Sequence, residues 1–183
     1  MSATPVLIVG GGPVGMTLAL CLAKQGIASV LIERRSADAP FEIKCNHIAA
    51  RSMELFRSLG VAADLRAAGL PDDYPHDVSY RINTLGVEIS RIRIPGRLAR
   101  PTDHSGPDGN WPTPEPPHRL NQKYIEPILR QHVASHRLIT VLYHHQLVEF
   151  TQHEQEVTAQ VQNLQQPQEK PLTFKATYLV GCD

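Results

Sequence analysis

The feature that most restricts the fold of this chain is an apolar run, Val6-Leu7-Ile8-Val9, that passes directly into Gly10-Gly11-Gly12-Pro13-Val14-Gly15 and then into a helical pattern. The glycines at 10, 12 and 15 fit G-x-G-x-x-G, and a second apolar run, residues 28–32, ends on Glu33, eighteen residues beyond Gly15. Strand, glycine turn, helix, strand and terminal acid in that order form a βαβ unit suited to an ADP moiety. Each residue type has a physical reason. Gly10 permits the tight turn off the strand, Gly12 lacks the Cβ that would hold a pyrophosphate away from the backbone, and Gly15 lets the helix pack closely on the sheet. The phosphates would face free N–H groups at the positive end of the helix dipole. Pro13 suits the first helical turn, where a missing N–H costs nothing, and Lys24 followed by Gly26 makes a sound helix end. Glu33 can accept hydrogen bonds from both ribose hydroxyls, and its charge would repel a 2′-phosphate, which argues against NADP at this site. Arg34, the next residue, can stack on adenine or stand solvated. G-x-G-x-x-G alone also occurs as an ordinary glycine-rich turn; the ordered surroundings argue against that here.

Composition narrows the function classes. The chain has 183 residues, 42% of them hydrophobic and 20% charged, enough for a globular domain with a proper core. A formal net charge of zero supplies no field to draw nucleic acid or an anionic membrane, so neither is expected as a partner. The apolar start lacks a basic n-region and is broken by Pro5 and the glycines, so it reads as core strand and helix and not as a leader. No stretch is long and apolar enough to span a bilayer. Cys21, Cys45 and Cys182 are odd in number and have no C-x-x-C spacing, which speaks against a disulfide framework or a zinc site and for a reducing cytoplasm.

Along the chain the order is mixed α/β. Helical patterns cover about residues 49–59, ended by Gly60, and 62–68, ended by Gly69. Residues 77–82 and 87–94 alternate apolar and polar around Asn83-Thr84-Leu85-Gly86, as a hairpin does. Residues 95–117 are rich in Pro, Gly and Asp, with Trp111 their only bulky aromatic; a loop this long in a compact domain is usually functional or mobile. A helix is expected over about residues 121–135, then strands near 138–142, 146–151, 157–161, 173–176 and 178–181. The run Arg91, Arg93, Arg97 and Arg100 alternates in part with Ile92 and Ile94, which suits a wet strand face. His132 and His136 share a helical spacing but lack the glutamate of H-E-x-x-H and a third ligand, so no metal is expected. There is no G-x-S-x-G elbow and no Cys or Ser with a recognisable base, which leaves hydrolase chemistry without a nucleophile.

Four segments together resemble the single-component FAD-dependent aromatic hydroxylases, the flavoprotein monooxygenases that include p-hydroxybenzoate hydroxylase and phenol hydroxylase. They are residues 10–33; Lys44-Cys45-Asn46-His47-Ile48-Ala49-Ala50-Arg51-Ser52-Met53-Glu54, similar to a family stretch ending in R-[ST]-M-E; His118-Arg119-Leu120-Asn121-Gln122-Lys123-Tyr124-Ile125-Glu126-Pro127-Ile128-Leu129; and Ala176-Thr177-Tyr178-Leu179-Val180-Gly181-Cys182-Asp183, the start of a D-G motif. The resemblance implies an α/β, Rossmann-like FAD-binding fold of the glutathione-reductase kind with a small β excursion. It implies that the chain is the amino-terminal part of the FAD-binding domain, truncated before the substrate domain. On this reading residues 1–70 are the ADP-binding βαβ and helical pair, 71–118 the hairpin and Pro/Gly-rich loop, and 119–183 a helix and strands ending at the D-G motif.

By the same resemblance, Gly10, Gly12, Pro13, Gly15, Glu33 and Arg34 serve the ADP half of FAD, Lys44 and Arg51 the phosphate or flavin edge, Gln122 the cofactor, and Asp183 its ribityl or pyrophosphate end. Many relatives carry arginine where this chain has Lys44, and lysine keeps the charge but loses the planar fork. The implied activity is hydroxylation of a small phenolic substrate with NAD(P)H as co-substrate and dioxygen as oxidant, through a flavin C4a-hydroperoxide. No general base is assigned, and room is left for a homo-oligomer. Asn46 and His47 fall where relatives approach the isoalloxazine or substrate, although His47 also suits a plain surface position. Arg51 could equally form an i,i+3 ion pair with Glu54, and Gln122 could simply help to cap a helix. Two other readings are an NAD-dependent Rossmann dehydrogenase, which the glycine motif alone allows, and a non-catalytic nucleotide-binding fragment.

Overall fold

The structure is a computed structural model that describes residues 2–40, 44–107 and 109–182. In chain order its elements are β1 (Ser2–Val9), α1 (Pro13–Lys24), β2 (Ser29–Glu33), β3 (His47–Ile48), α2 (Ala50–Ser58), α3 (Ala62–Ala67), β4 (Val78–Arg81), β5 (Glu88–Ile92), β6 (His118–Arg119), α4 (Gln122–Ala134), β7 (Ile139–Tyr143), β8 (His145–Gln152), β9 (Val157–Asn163) and β10 (Leu172–Gly181). They group into two units, residues 1–42 with 125–183, and residues 43–124.

In the first unit, six strands among the described residues form one sheet in the order β7-β2-β1-β10-β9-β8. β7, β2, β1 and β10 run parallel, and β9 and β8 continue antiparallel from β10. β1 is buried from both sides, as a central parallel strand must be, with Val6, Leu7 and Ile8 all inaccessible. Alternation sends Leu7, Val9, Val30 and Ile32 to one face, where they pack with Ala159, Val161, Phe174 and Ala176 of the antiparallel strands. α1 packs on β1, β2 and β7 through Gly15, Met16, Ala19, Leu20 and Ala23, an i, i+4 stripe.

The chain changes from parallel to antiparallel pairing at His144, a non-glycine residue with φ 59. Its amide donates to Arg35 O (3.2 Å) and its carbonyl accepts the Leu164 amide (2.7 Å), which holds the left-handed conformation in place. The two strands expected near residues 173–176 and 178–181 are one strand, β10. Residues 172–176 of it pair with β9, and it pairs with β1 at both ends, so there is no break at Thr177.

In the second unit, α2 and α3 form a helical pair whose buried face is Ala50, Met53, Phe56, Ala62 and Leu65. β4 and β5 form the expected hairpin, closed by Gly86 N donating to Asn83 O (3.1 Å). β3 and β6 pair antiparallel over two residues each, too short for a periodic signal in sequence. The Pro/Gly-rich segment has no helix or strand among its described residues but is organised around Arg100. That side chain is 1% exposed, donates Nε to Pro95 O (3.1 Å) and lies 5.2 Å from the Trp111 ring centroid. The arginine run is therefore not one wet face: Arg91 pairs with Asp77 and Glu88 on the hairpin, Arg97 with Asp72, and Arg100 is core. No helix among the described residues is long and apolar enough to cross a membrane.

Candidate functional site

The glycine turn between β1 and α1 is fixed by three separate constraints. Gly10 has φ +110, a conformation that residues with a Cβ rarely adopt, and its amide donates to Ile32 O (2.9 Å), which stitches the turn to β2. A Cβ at Gly15 would stand 2.0 Å from Gly10 O, so the helix can start this close to the strand only with glycine there. A Cβ at Gly11 would stand 2.8 Å from Glu33 Cβ and 3.0 Å from Glu33 Oε2. Gly12 differs: it is the N-cap of α1, its φ of −74 and ψ of −176 are open to any residue, and a Cβ there would meet nothing within 4 Å. No packing among the described residues requires glycine at 12.

Pro13 is the first helical residue, and the first backbone bond of α1 runs from Met16 N to Gly12 O (3.0 Å). The amides of Val14 and Gly15 therefore precede the helical ladder, at the positive end of the dipole. Glu33, at the end of β2, is 6% exposed and lies under this turn. Its Oε2 accepts the Gly11 amide (2.8 Å), and its Oε1 accepts the Arg35 amide (2.8 Å) and Arg35 Nε (3.2 Å). Burial alone would raise its pKa, but the Arg35 and Gly11 amides and the Arg35 guanidinium outweigh it and hold the carboxyl below its ordinary value. The carboxylate is ionised and three of its roughly four acceptor positions are taken. Oε2 keeps capacity for one hydroxyl; a second hydroxyl would have to displace Arg35.

Those residues fit an ADP moiety: backbone donors at a helix start, open space above Gly12, and a fixed anionic acceptor. Cys182, the residue after β10, borders the same turn, donating its amide to Val9 O (2.7 Å), with its Cβ 3.4 Å from where a Gly15 Cβ would be. Asp183 lies outside the described residues. Arg34 is exposed beside Glu33. Arg35 and Gly11 are the residues that sequence reasoning missed. The tandem Arg34-Arg35 and the third glycine in the run were the available signals, but which arginine turns toward the acid depends on tertiary geometry.

Lys44, Arg51 and Gln122 belong to the second unit. There the segment 44–48 meets 118–122: Gln122 N donates to Cys45 O (2.8 Å), Leu120 N to Asn46 O (3.2 Å), and His47 pairs with Arg119. The structure thus brings together two of the four sequence segments within one unit. Lys44 and Asn46 are exposed and His47 is half-buried. Arg51 is 85% exposed on α2 and ion-pairs with Glu54, the i,i+3 arrangement that its spacing allowed. Within the second of these segments the His118 side chain is buried, its Nε2 donating to Leu65 O (2.9 Å), which assigns the proton to that nitrogen. Burial pushes its pKa from 6.5 to about 4, and burial with the Arg100 and Arg119 charges does the same to His76.

The chain matches the family model described as "FAD binding domain" over residues 3–183. It is 32% identical over 186 residues to "Phenol 2-monooxygenase" of Pseudomonas sp. (strain EST1001), covering 98% of this chain and 28% of that protein. It is 31% identical over 182 residues to "Aklavinone 12-hydroxylase DnrF" of Streptomyces peucetius subsp. caesius, covering 97% of this chain and 35% of that protein. Among solved structures it superposes on the flavin-dependent monooxygenase PieE in complex with FAD and substrate with a TM-score of 0.83 and 28% identity, covering 99% of this chain and 30% of that one. The rebeccamycin biosynthetic enzyme RebC with reduced flavin gives a TM-score of 0.81 and 32% identity, over 100% of this chain and 32% of that one. The chain spans about a third of the length of the relatives it matches.

Proposed function

The chain belongs to the FAD-binding-domain family of flavin-dependent aromatic monooxygenases, and from that membership we propose that its glycine turn and Glu33 hold the ADP half of FAD. The observation that carries this is the contrast at the turn: glycine is required sterically at 11 and 15, whereas at 12 the space where a side chain would go is open. The amides of Val14 and Gly15 take the pyrophosphate, Glu33 Oε2 takes a ribose hydroxyl, and Arg34 lies beside the adenine end. The resemblance supports Lys44, Arg51 and Gln122 as contacts toward the pyrophosphate or flavin edge, and Asp183 toward the ribityl or pyrophosphate end.

For the whole protein we propose an aromatic-ring hydroxylase in which NAD(P)H is the reductant and dioxygen the oxidant. The bound flavin would supply the redox and oxygen-transfer chemistry. The part left to this chain is to fix the cofactor by its ADP end and to keep water from the buried core beneath it. In this proposal the chain is the amino-terminal part of the FAD domain, with residues 1–70, 71–118 and 119–183 as its successive segments. Three cysteines without disulfide partners suit a reducing cytoplasm, the compartment proposed here.

Mixing the purified protein with FAD and, separately, with NAD tests the assignment. A yellow chromophore retained through gel filtration, with quenched flavin fluorescence and no comparable retention of NAD, is the expected result. Retention of NAD in preference to FAD would replace this reading with a dehydrogenase.

A further inference from the structure

Arg35 stands between two acids of its own unit. Its Nε donates to Glu33 Oε1 (3.2 Å), and its Nη2 lies 4.0 Å from Oε2 of Glu126, on α4. The backbone of Arg35 is pinned at both ends: its amide donates to Glu33 Oε1 (2.8 Å), and its carbonyl accepts the His144 amide (3.2 Å). The freedom left to the residue is that of its side chain, which is 31% exposed. Glu126, in contrast, is 1% exposed.

The acceptor positions of Glu33 give a movement of Arg35 its meaning. The Gly11 amide takes one position on Oε2, and the Arg35 amide and Nε take both on Oε1, which leaves room for one hydroxyl. A ribose presents two adjacent hydroxyls, and a carboxylate holds both most directly with one on each oxygen. Displacing Arg35 Nε opens Oε1, while the two backbone amides stay and keep the carboxylate oriented. The displaced guanidinium has a second seat. Nη2 is about 1 Å short of hydrogen-bond length from Glu126, and a charge-assisted bond there would replace the one given up at Glu33. An acid as buried as Glu126 is costly unless a cation attends it, so it gains what Glu33 releases.

We propose that Glu126 is a positioning residue for the cofactor's ribose: it receives Arg35 when the second hydroxyl arrives, and so lets Glu33 hold the diol with both oxygens. This role rests on the placement of the ADP half of FAD at Glu33, and it makes the site selective for ribose over deoxyribose.

The test titrates the purified protein with FAD and with the FAD analogue that lacks the adenosine 2′-hydroxyl, reading flavin fluorescence quenching, with folding checked by circular dichroism. The wild type should bind FAD about tenfold more tightly than the analogue, the worth of one hydrogen bond to a charged group. In Glu126→Gln, Arg35 stays on Glu33 and the ratio should fall to about threefold or less, through weaker FAD binding with the analogue unchanged. Adding Arg35→Ala to Glu126→Gln vacates Oε1 and should restore the wild-type ratio, which repair of a merely structural defect would not do. Glu126→Asp, which keeps the charge but draws it back, should give an intermediate ratio and decides the matter where Glu126→Gln does not fold. A wild-type ratio in Glu126→Gln or Glu126→Asp, equal losses for both probes, or no recovery in the double variant would overturn this role alone. Failure of the folded wild type to retain either probe would overturn the FAD assignment and this role together.

Discussion

Substituting alanine separately at Gly12 and Gly15 distinguishes a glycine kept for a ligand from one kept for the fold. At Gly12 the backbone already lies in a region open to alanine and the new methyl meets nothing within 4 Å. Alanine is a poorer N-cap than glycine by up to about 1 kcal/mol, but restricting the unfolded chain returns about 0.4–1 kcal/mol. The net change in stability should be within about 0.5 kcal/mol of zero. At Gly15 the methyl would stand 2.0 Å from Gly10 O, a backbone atom that cannot swing aside. Overpacking of that severity costs about 3 kcal/mol or more, or roughly 6–12 °C in Tm for a chain of this size. Melting monitored by circular dichroism and FAD affinity by fluorescence quenching should therefore separate the variants. Gly12→Ala should melt like the wild type and bind FAD at least tenfold more weakly, because its methyl enters the path of the pyrophosphate; Gly15→Ala should lose stability first and binding as a consequence. Wild-type FAD affinity in a folded Gly12→Ala protein would refute the placement of the diphosphate at this turn.

Two further outcomes concern the second unit. His76 and His118 ordinarily titrate at 6.5 and are held at about 4 when folded, so below pH 6.5 the unfolded chain takes up protons that the folded one refuses. Stability is thus complete above pH 6.5 and falls as the pH drops toward 4, by up to about 3 kcal/mol for each imidazole; urea midpoints that are the same at pH 7.5 and pH 5 would contradict this. Gly69→Ala would place a Cβ 2.3 Å from Cε1 of His118, whose ring is pinned by Leu65 O. A loss of about 2–3 kcal/mol is expected, and the loss should shrink in a Gly69→Ala/His118→Ala double variant if the contact is its cause.

What could be read from the sequence was what local rules determine. β1, the glycine turn, α1 and β2 are one continuous pattern in which each residue type has a short-range reason, and the hairpin around Asn83–Gly86 is another. The elements that escaped are those defined by partners far along the chain. β3 and β6 are only two residues each and exist because residues 47–48 and 118–119 meet. β10 reads as two strands because its side chains change surroundings partway, although its backbone pairing is continuous. Arg100 looks like part of a wet basic strip, and only the folded loop reveals that Pro95 O and the Trp111 ring accommodate it in the core.

The same division runs through the candidate site. A motif of glycines does not say which glycine serves what, because turn geometry, helix packing and ligand space all ask for a missing Cβ. The structure separates them: Gly10 for its backbone conformation, Gly11 for Glu33, Gly15 for Gly10 O, and Gly12 for nothing among the described residues. Likewise Glu33 is more than an acid at a strand end. Arg35 and the Gly11 amide fix its orientation and keep it ionised, so in the proposed binding mode a ribose hydroxyl would meet an acceptor that need not reorganise. Preorganisation of this kind lowers the cost of ordering on binding, and it joins the acid and the glycine turn into one device: a side chain at Gly11 would move Glu33, and loss of Glu33 would remove the partner of the Gly11 amide. Substitutions at Gly11 and Glu33 should consequently be non-additive in FAD affinity, whereas Gly12 should act independently of both.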